Sequence, residues 1–131
     1  MVRAADAPRL AAAYFLVQAV LVPLWWSLLF AVPASRDWFL PSRDLEPAFV
    51  AFVAPDLVVL SVASAITGAF ASRTTQVART GSWFVVGAVM YATAYTLAWT
   101  VLVGAPWLSA ALMMVAAAGS IAAARALRGL S

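Results

Sequence analysis

The chain has 131 residues, of which 66% are hydrophobic and 10% charged, with a net charge of +3; soluble domains run at roughly 45–50% apolar and about 25% charged. So small a chain cannot hide that much apolar surface from water, which excludes a soluble globule and makes lipid the expected solvent. Cysteine, histidine and lysine are all missing, and with them go disulfides, thiolate nucleophiles, imidazole-ligated metals, the usual general base and Schiff-base chemistry. No cofactor is expected.

The apolar residues fall into four runs, read as one all-α integral membrane four-helix bundle forming a single domain. Span one, about residues 10–32, is interrupted only by Gln18, Pro23 and Ser27. It exceeds the 7–15 residues of a signal-peptide core and carries Trp25 and Trp26, so a span is favoured over a cleaved leader. An outer loop, 33–46, follows. It repeats Ser35-Arg36-Asp37 as Ser42-Arg43-Asp44 around Trp38-Phe39-Leu40-Pro41. Two roles compete for this loop: a segment lying on the interface with Trp38 and Phe39 at headgroup depth, or a lid over the space between the helices.

Span two, about 47–71, opens at Glu46-Pro47, a pair suited to a helix start. Span three, about 83–103, holds no charge. Gly104-Ala105-Pro106 breaks the chain, and the alanine-rich span four covers about 107–127. Arg3 and Arg9, Arg73 and Arg79, and Arg125 and Arg128 all fall at one end of an up-down bundle, whereas Arg36 and Arg43 are offset by Asp37, Asp44 and Glu46. The positive-inside rule then places both termini in the cytoplasm. Arginines at the ends of spans read as topology signals, so no nucleic-acid partner is expected. The alanine and arginine bias without lysine fits a GC-rich bacterial genome, and hence a bacterial inner membrane.

Asp56 is the one ionisable side chain deep within a run. Counted from Pro47 at 1.5 Å per residue it lies about 14 Å in, near the midplane of a ~30 Å core. An ionised carboxylate there costs roughly 2.5–3.5 kcal/mol on the insertion scale, so it should face the bundle interior. Pro55 beside it lacks a backbone N–H and bends a helix. Leu60, Ser64 and Thr67 continue its face, with Ser64 and Gly68 a small-residue pair.

By the same count Gln18 lies about 14 Å from the inner end of span one and Tyr91 about 12 Å beyond Trp83, so both are expected at the level of Asp56. Tyr14, Gln18, Leu21 and Trp25 share one helical face, and Tyr91 and Tyr95 another. Turned inward with Met113 or Met114, these faces would enclose an aromatic-walled cavity around an acid. The candidate ligand-binding set is therefore Asp56, Gln18, Trp25, Tyr91, Tyr95 and Met113. A tightly packed bundle with no cavity is the alternative. Thr93, Thr96 and Thr100 are expected to bond their own helix's carbonyls, and Ala116, Ser120 and Ala124 form a small-residue stripe on span four.

Three functions follow. One is a small membrane protein that binds an apolar or lipid-like ligand between its helices, or serves as an accessory subunit of a larger membrane complex. Another is an oligomeric transporter or channel subunit with Asp56 as proton or cation site. The last is an intramembrane lipid-modifying enzyme, for which one acid is a thin catalytic set. Membrane lipids and a protein partner or second copy are the expected partners.

Overall fold

In a computed structural model of the chain, residues 6–73 and 76–128 are described, and all their regular structure is helical. Helix α1 spans Ala7–Ala31. Two 3-10 turns, Pro33–Trp38 and Arg43–Leu45, form the first connection, expected on the outer side. The second run is built from pieces: α2 (Glu46–Val50), α3 (Val53–Pro55), a π-helical segment (Asp56–Val62) and α4 (Ala63–Ala71). Helices α5 (Gln76–Val103) and α6 (Trp107–Arg128) complete the chain. Four stretches, Ala7–Ala31, Arg43–Ala71, Gln76–Val103 and Trp107–Arg128, are long and apolar enough to cross a membrane. By length and composition this is a multi-pass membrane protein. Arg3, one of the topology arginines, lies outside the described residues.

The helices pack in a closed square, α1 against α4 and α6, and α5 against the same two. Neighbours run antiparallel: Gln18 and Ala19 of α1 meet Ser64 and Ser61 of the second run, and Tyr14 meets Ala116 and Ser120 of α6. The start of α1 and the end of α6 lie side by side, with Ala7 and Ala126 lining one groove. The core is alanine-rich. Ala11, Ala12, Ala71, Ala78, Ala117 and Ala123 surround Phe15, Val85, Val89 and Leu127, and small side chains let helix backbones approach closely where lipid offers no hydrophobic drive for association. Large apolar residues such as Leu24, Phe84, Val101, Leu102 and Val115 face outward, a distribution stable only in lipid.

The packed face of α1 is wider than the one expected: Tyr14, Gln18 and Trp25 reach other parts of the bundle, but the most deeply buried positions lie beside them. Ala12, Phe15, Ala19, Trp26 and Leu29 are buried, with Val22 packed between them, while Leu21 faces outward. The seam follows the alternating three- and four-residue spacing of close helix pairs. On α5 the buried positions are Ala78, Ser82, Val85, Val86, Val89, Thr93 and Thr100. Thr93 and Thr100 face in and Tyr91 does not. Helix α5 also begins at Gln76, so Arg79 sits on its opening turns and not in a loop.

Prolines explain both irregular helices. A helical N–H donates to the carbonyl four residues back, so Pro23 leaves the Ala19 carbonyl without its donor and Pro55 does the same to Ala51. In α1 the helix continues, because the Ser61 hydroxyl donates to the Ala19 oxygen at 2.6 Å. In the second run the chain breaks into a turn at Ala51 and Phe52, then resumes through the wider π turn that carries Ser61. Between α5 and α6, Gly104 adopts φ 74°, a left-handed conformation open to glycine at little cost, and Pro106 follows it.

Candidate functional site: an outer acid and a central polar layer

Two polar layers cross the bundle where one was expected. In the outer layer the Trp26 indole N–H donates to Asp56 Oδ2 at 3.0 Å. Trp26 lies five residues before the end of α1, so this layer is about 8 Å from the helix end and well short of the midplane. The reason is register: with Trp26 opposite Asp56 and Gln18 opposite Ser64, the end of α1 falls opposite Ala51, so α2 lies beyond it and a count from Pro47 starts too far out.

The acid lies in an aromatic neighbourhood. Trp26, Leu29 and Phe39 are buried together, with Trp25, Phe49, Phe52, Val53 and Leu57 packed on them. Trp25 meets Phe39 edge-on at 4.3 Å between centroids, and Trp26 lies 5.2 Å from Phe49. Phe52, one turn before Asp56, contacts Tyr95 of α5 at 4.8 Å, and Tyr95 stacks on Trp99 at 6.2 Å. The outer connection closes this cluster from above. Phe39 tucks in against the bundle, while Trp38 stays exposed. Arg36 pairs with Glu46, and its Nε donates to the Leu29 carbonyl at 2.8 Å, capping the last turn of α1. Arg43 pairs with Asp37 at 2.7 Å on the surface.

The central layer joins three helices. Gln18 donates to Ser64 Oγ at 3.1 Å and accepts from Ser120 Oγ at 3.2 Å. The Tyr14 hydroxyl lies 3.1 Å from the same Ser120 oxygen and donates to the Ala116 carbonyl at 2.7 Å. Each member has a partner, so this layer ties α1, α4 and α6 together. It lies eight residues, about 12 Å, inward of Trp26.

Of the six candidate residues, Asp56, Trp25 and Tyr95 gather at the outer cluster. Gln18 belongs to the central layer. Met113 packs on the alanine core, and its carbonyl accepts a hydrogen bond from Thr93 at 3.2 Å. Tyr91 is 73% exposed on the outer surface of α5; the register set by Phe52 against Tyr95 and Thr67 against Gly81 brings it to the level of Asp56, but turning Thr93 inward turns Tyr91 out. The cavity walled by all these side chains is therefore not formed. Thr93 and Thr96 bond their own helix at Val89 and Ala92, whereas the buried Thr100 hydroxyl has no partner among the described residues. Sequence reasoning missed Trp26 and Ser61. The signal for Trp26 was the spacing of Ala12, Ala19 and Trp26 along α1, which marks the packed seam.

Among the described residues no three acids converge as a metal site would require. Two open hollows lie at the other end of the bundle. One, of about 440 Å³, is lined by alanines with Leu10 and Tyr14 between α1 and α6; the other, of about 490 Å³, lies between α5 and α6. No family model, no curated protein and no solved structure matches the chain.

Proposed function

We propose that the chain is a small membrane protein that binds a lipid-like ligand, alone or as an accessory subunit of a larger membrane complex, with the ligand's cationic or hydrogen-bonding head at Asp56. The observation that carries this reading is the placement of the carboxyl group. One oxygen is held by the Trp26 indole, and Phe49, Phe52 and Tyr95 stand nearby in the same aromatic cluster. Aromatic faces and a carboxylate together are the recognition chemistry of an amine or quaternary ammonium. A depth of about 8 Å below the helix end suits an amphiphile whose head enters from the membrane surface. On this reading the outer connection, pinned by Arg36 and Glu46, is the lid.

In this proposal the end bearing Arg9, Arg73, Arg79, Arg125 and Arg128 is cytoplasmic, as the positive-inside rule requires. The binding site then opens to the outer leaflet of a bacterial inner membrane. The broken second run favours one further reading. Interrupted helices with π turns recur at ion sites of transporters, which would make Asp56 a proton or cation site in an oligomer.

Native mass spectrometry of protein released from membranes in mild detergent tests both readings. A monomer carrying a discrete added mass that Asp56→Asn loses supports the ligand site and weighs the ligand. A ligand-free symmetric oligomer supports transport. A monomer with no added mass and no partner in cross-linking removes both.

A further inference from the structure

We propose that the hollow between the opening turns of α5 and the last turn of α6 binds the phosphate group of an anionic amphiphile. The hollow is lined by Gln76, Arg79, Thr80, Trp83 and Arg128 and measures about 490 Å³. Two arginines from different helices, a glutamine and a threonine thus line one space, and among the described residues no acidic side chain does. The Arg128 guanidinium lies over the Trp83 ring at 4.8 Å. That contact anchors the guanidinium at the wall of the hollow, and its N–H fork is the group that grips phosphate bidentately. Gln76 Nε2 donates to Thr80 Oγ1 at 3.3 Å, fixing a second pair of polar groups on the rim.

The position favours a lipid over a soluble phosphate. Trp83 opens the charge-free stretch of α5, so the hollow sits where polar headgroups meet hydrocarbon. One turn deeper on the same face is Gly87, around whose missing side chain there is open space, with Phe84 exposed beside it. A phosphate seated between the arginines would therefore have a shallow apolar track for its acyl chain. Basic pockets between membrane helices are a recurrent way of holding anionic headgroups. This site is at the opposite end of the bundle from Asp56 and does not rest on the reading proposed for that residue.

The test uses the full chain reconstituted in vesicles of equal parts phosphatidylcholine and phosphatidylglycerol, then extracted gently so that retained lipid is counted by native mass spectrometry. Arg128→Gln and Arg79→Gln should each lower retained phosphatidylglycerol about five-fold. Arg125→Gln, on the same end but outside the hollow, should not. Equal losses in all three variants, or no loss in Arg128→Gln, would overturn the site in favour of diffuse surface charge. Added inorganic phosphate distinguishes the sources: lipid that stays bound upholds the amphiphile. Displacement of the lipid by phosphate, again dependent on Arg128, upholds the phosphate site and places its source in solution.

Discussion

The Ser61 hydroxyl donates to the carbonyl of Ala19 at 2.6 Å, the one carbonyl that Pro23 leaves without its helical donor. In lipid no water can take that role, so an unsatisfied carbonyl costs more than the modest net value of an ordinary hydrogen bond. Ser61→Ala should destabilise the bundle by about 1–2 kcal/mol. In a Pro23→Ala background the helix supplies its own N–H, and the same substitution should cost little. A double-mutant cycle on unfolding midpoints in mixed micelles measures the difference, and equal costs in the two backgrounds would separate Ser61 from the proline.

Trp26 and Asp56 form the corresponding pair at the outer end. Trp26→Phe keeps an aromatic ring but removes the donor, leaving a half-buried carboxyl group short of a partner, and should lower stability by roughly 1–3 kcal/mol. Asp56→Asn keeps an acceptor for the indole and should cost less. Thermal unfolding in detergent ranks the two; a larger loss in Asp56→Asn would show that the carboxyl group is held by something other than Trp26.

How far the sequence carried this description depends on which physical signal it offered. Four spans and the shared end for both termini were legible because hydropathy and the alternation of apolar runs with arginine pairs act over twenty residues at a time. Asp56 stood out because its charge has no place in such a run. Its depth was not legible. Counting 1.5 Å per residue from Pro47 assumes that the second run starts level with the end of α1, whereas the Trp26–Asp56 register places α2 beyond it. The rotation of α5 was not legible either: aromatic side chains drew attention to the face of Tyr91, while the packed face of that helix is marked by alanine, serine, valine and threonine. In lipid, a large apolar or aromatic side chain gains little by turning inward, so size does not identify the core.

Close approach between α1 and α6 makes a sharper test of that packing. A Cβ at Gly119 would lie 2.5 Å from Cε2 of Tyr14, whereas at Gly87 it meets nothing within 4 Å. Gly119→Ala must displace the tyrosine and with it the bonds to Ala116 and Ser120, for an expected loss of about 1–3 kcal/mol. Gly87→Ala should be neutral or slightly stabilising, since alanine is the better helix former. Comparable losses at both positions would mean that α1 and α6 do not meet along Tyr14.

Gln18 decides whether the two polar layers are separate. It bonds Ser64 and Ser120 about 12 Å inward of the Trp26 level, so Gln18→Leu should weaken the junction of α1, α4 and α6 while leaving ligand retention at Asp56 unchanged. The expected cost is only about 0.5–1 kcal/mol, because each freed serine can turn its hydroxyl to a carbonyl one turn back on its own helix. Under a single layer, the substitution would instead remove a ligand contact, and retention would fall together with that of Asp56→Asn. Native mass spectra of the two variants, read beside their unfolding midpoints, distinguish these outcomes. Lost stability with ligand retained makes the centre of the bundle a structural tie and confines recognition to its outer end.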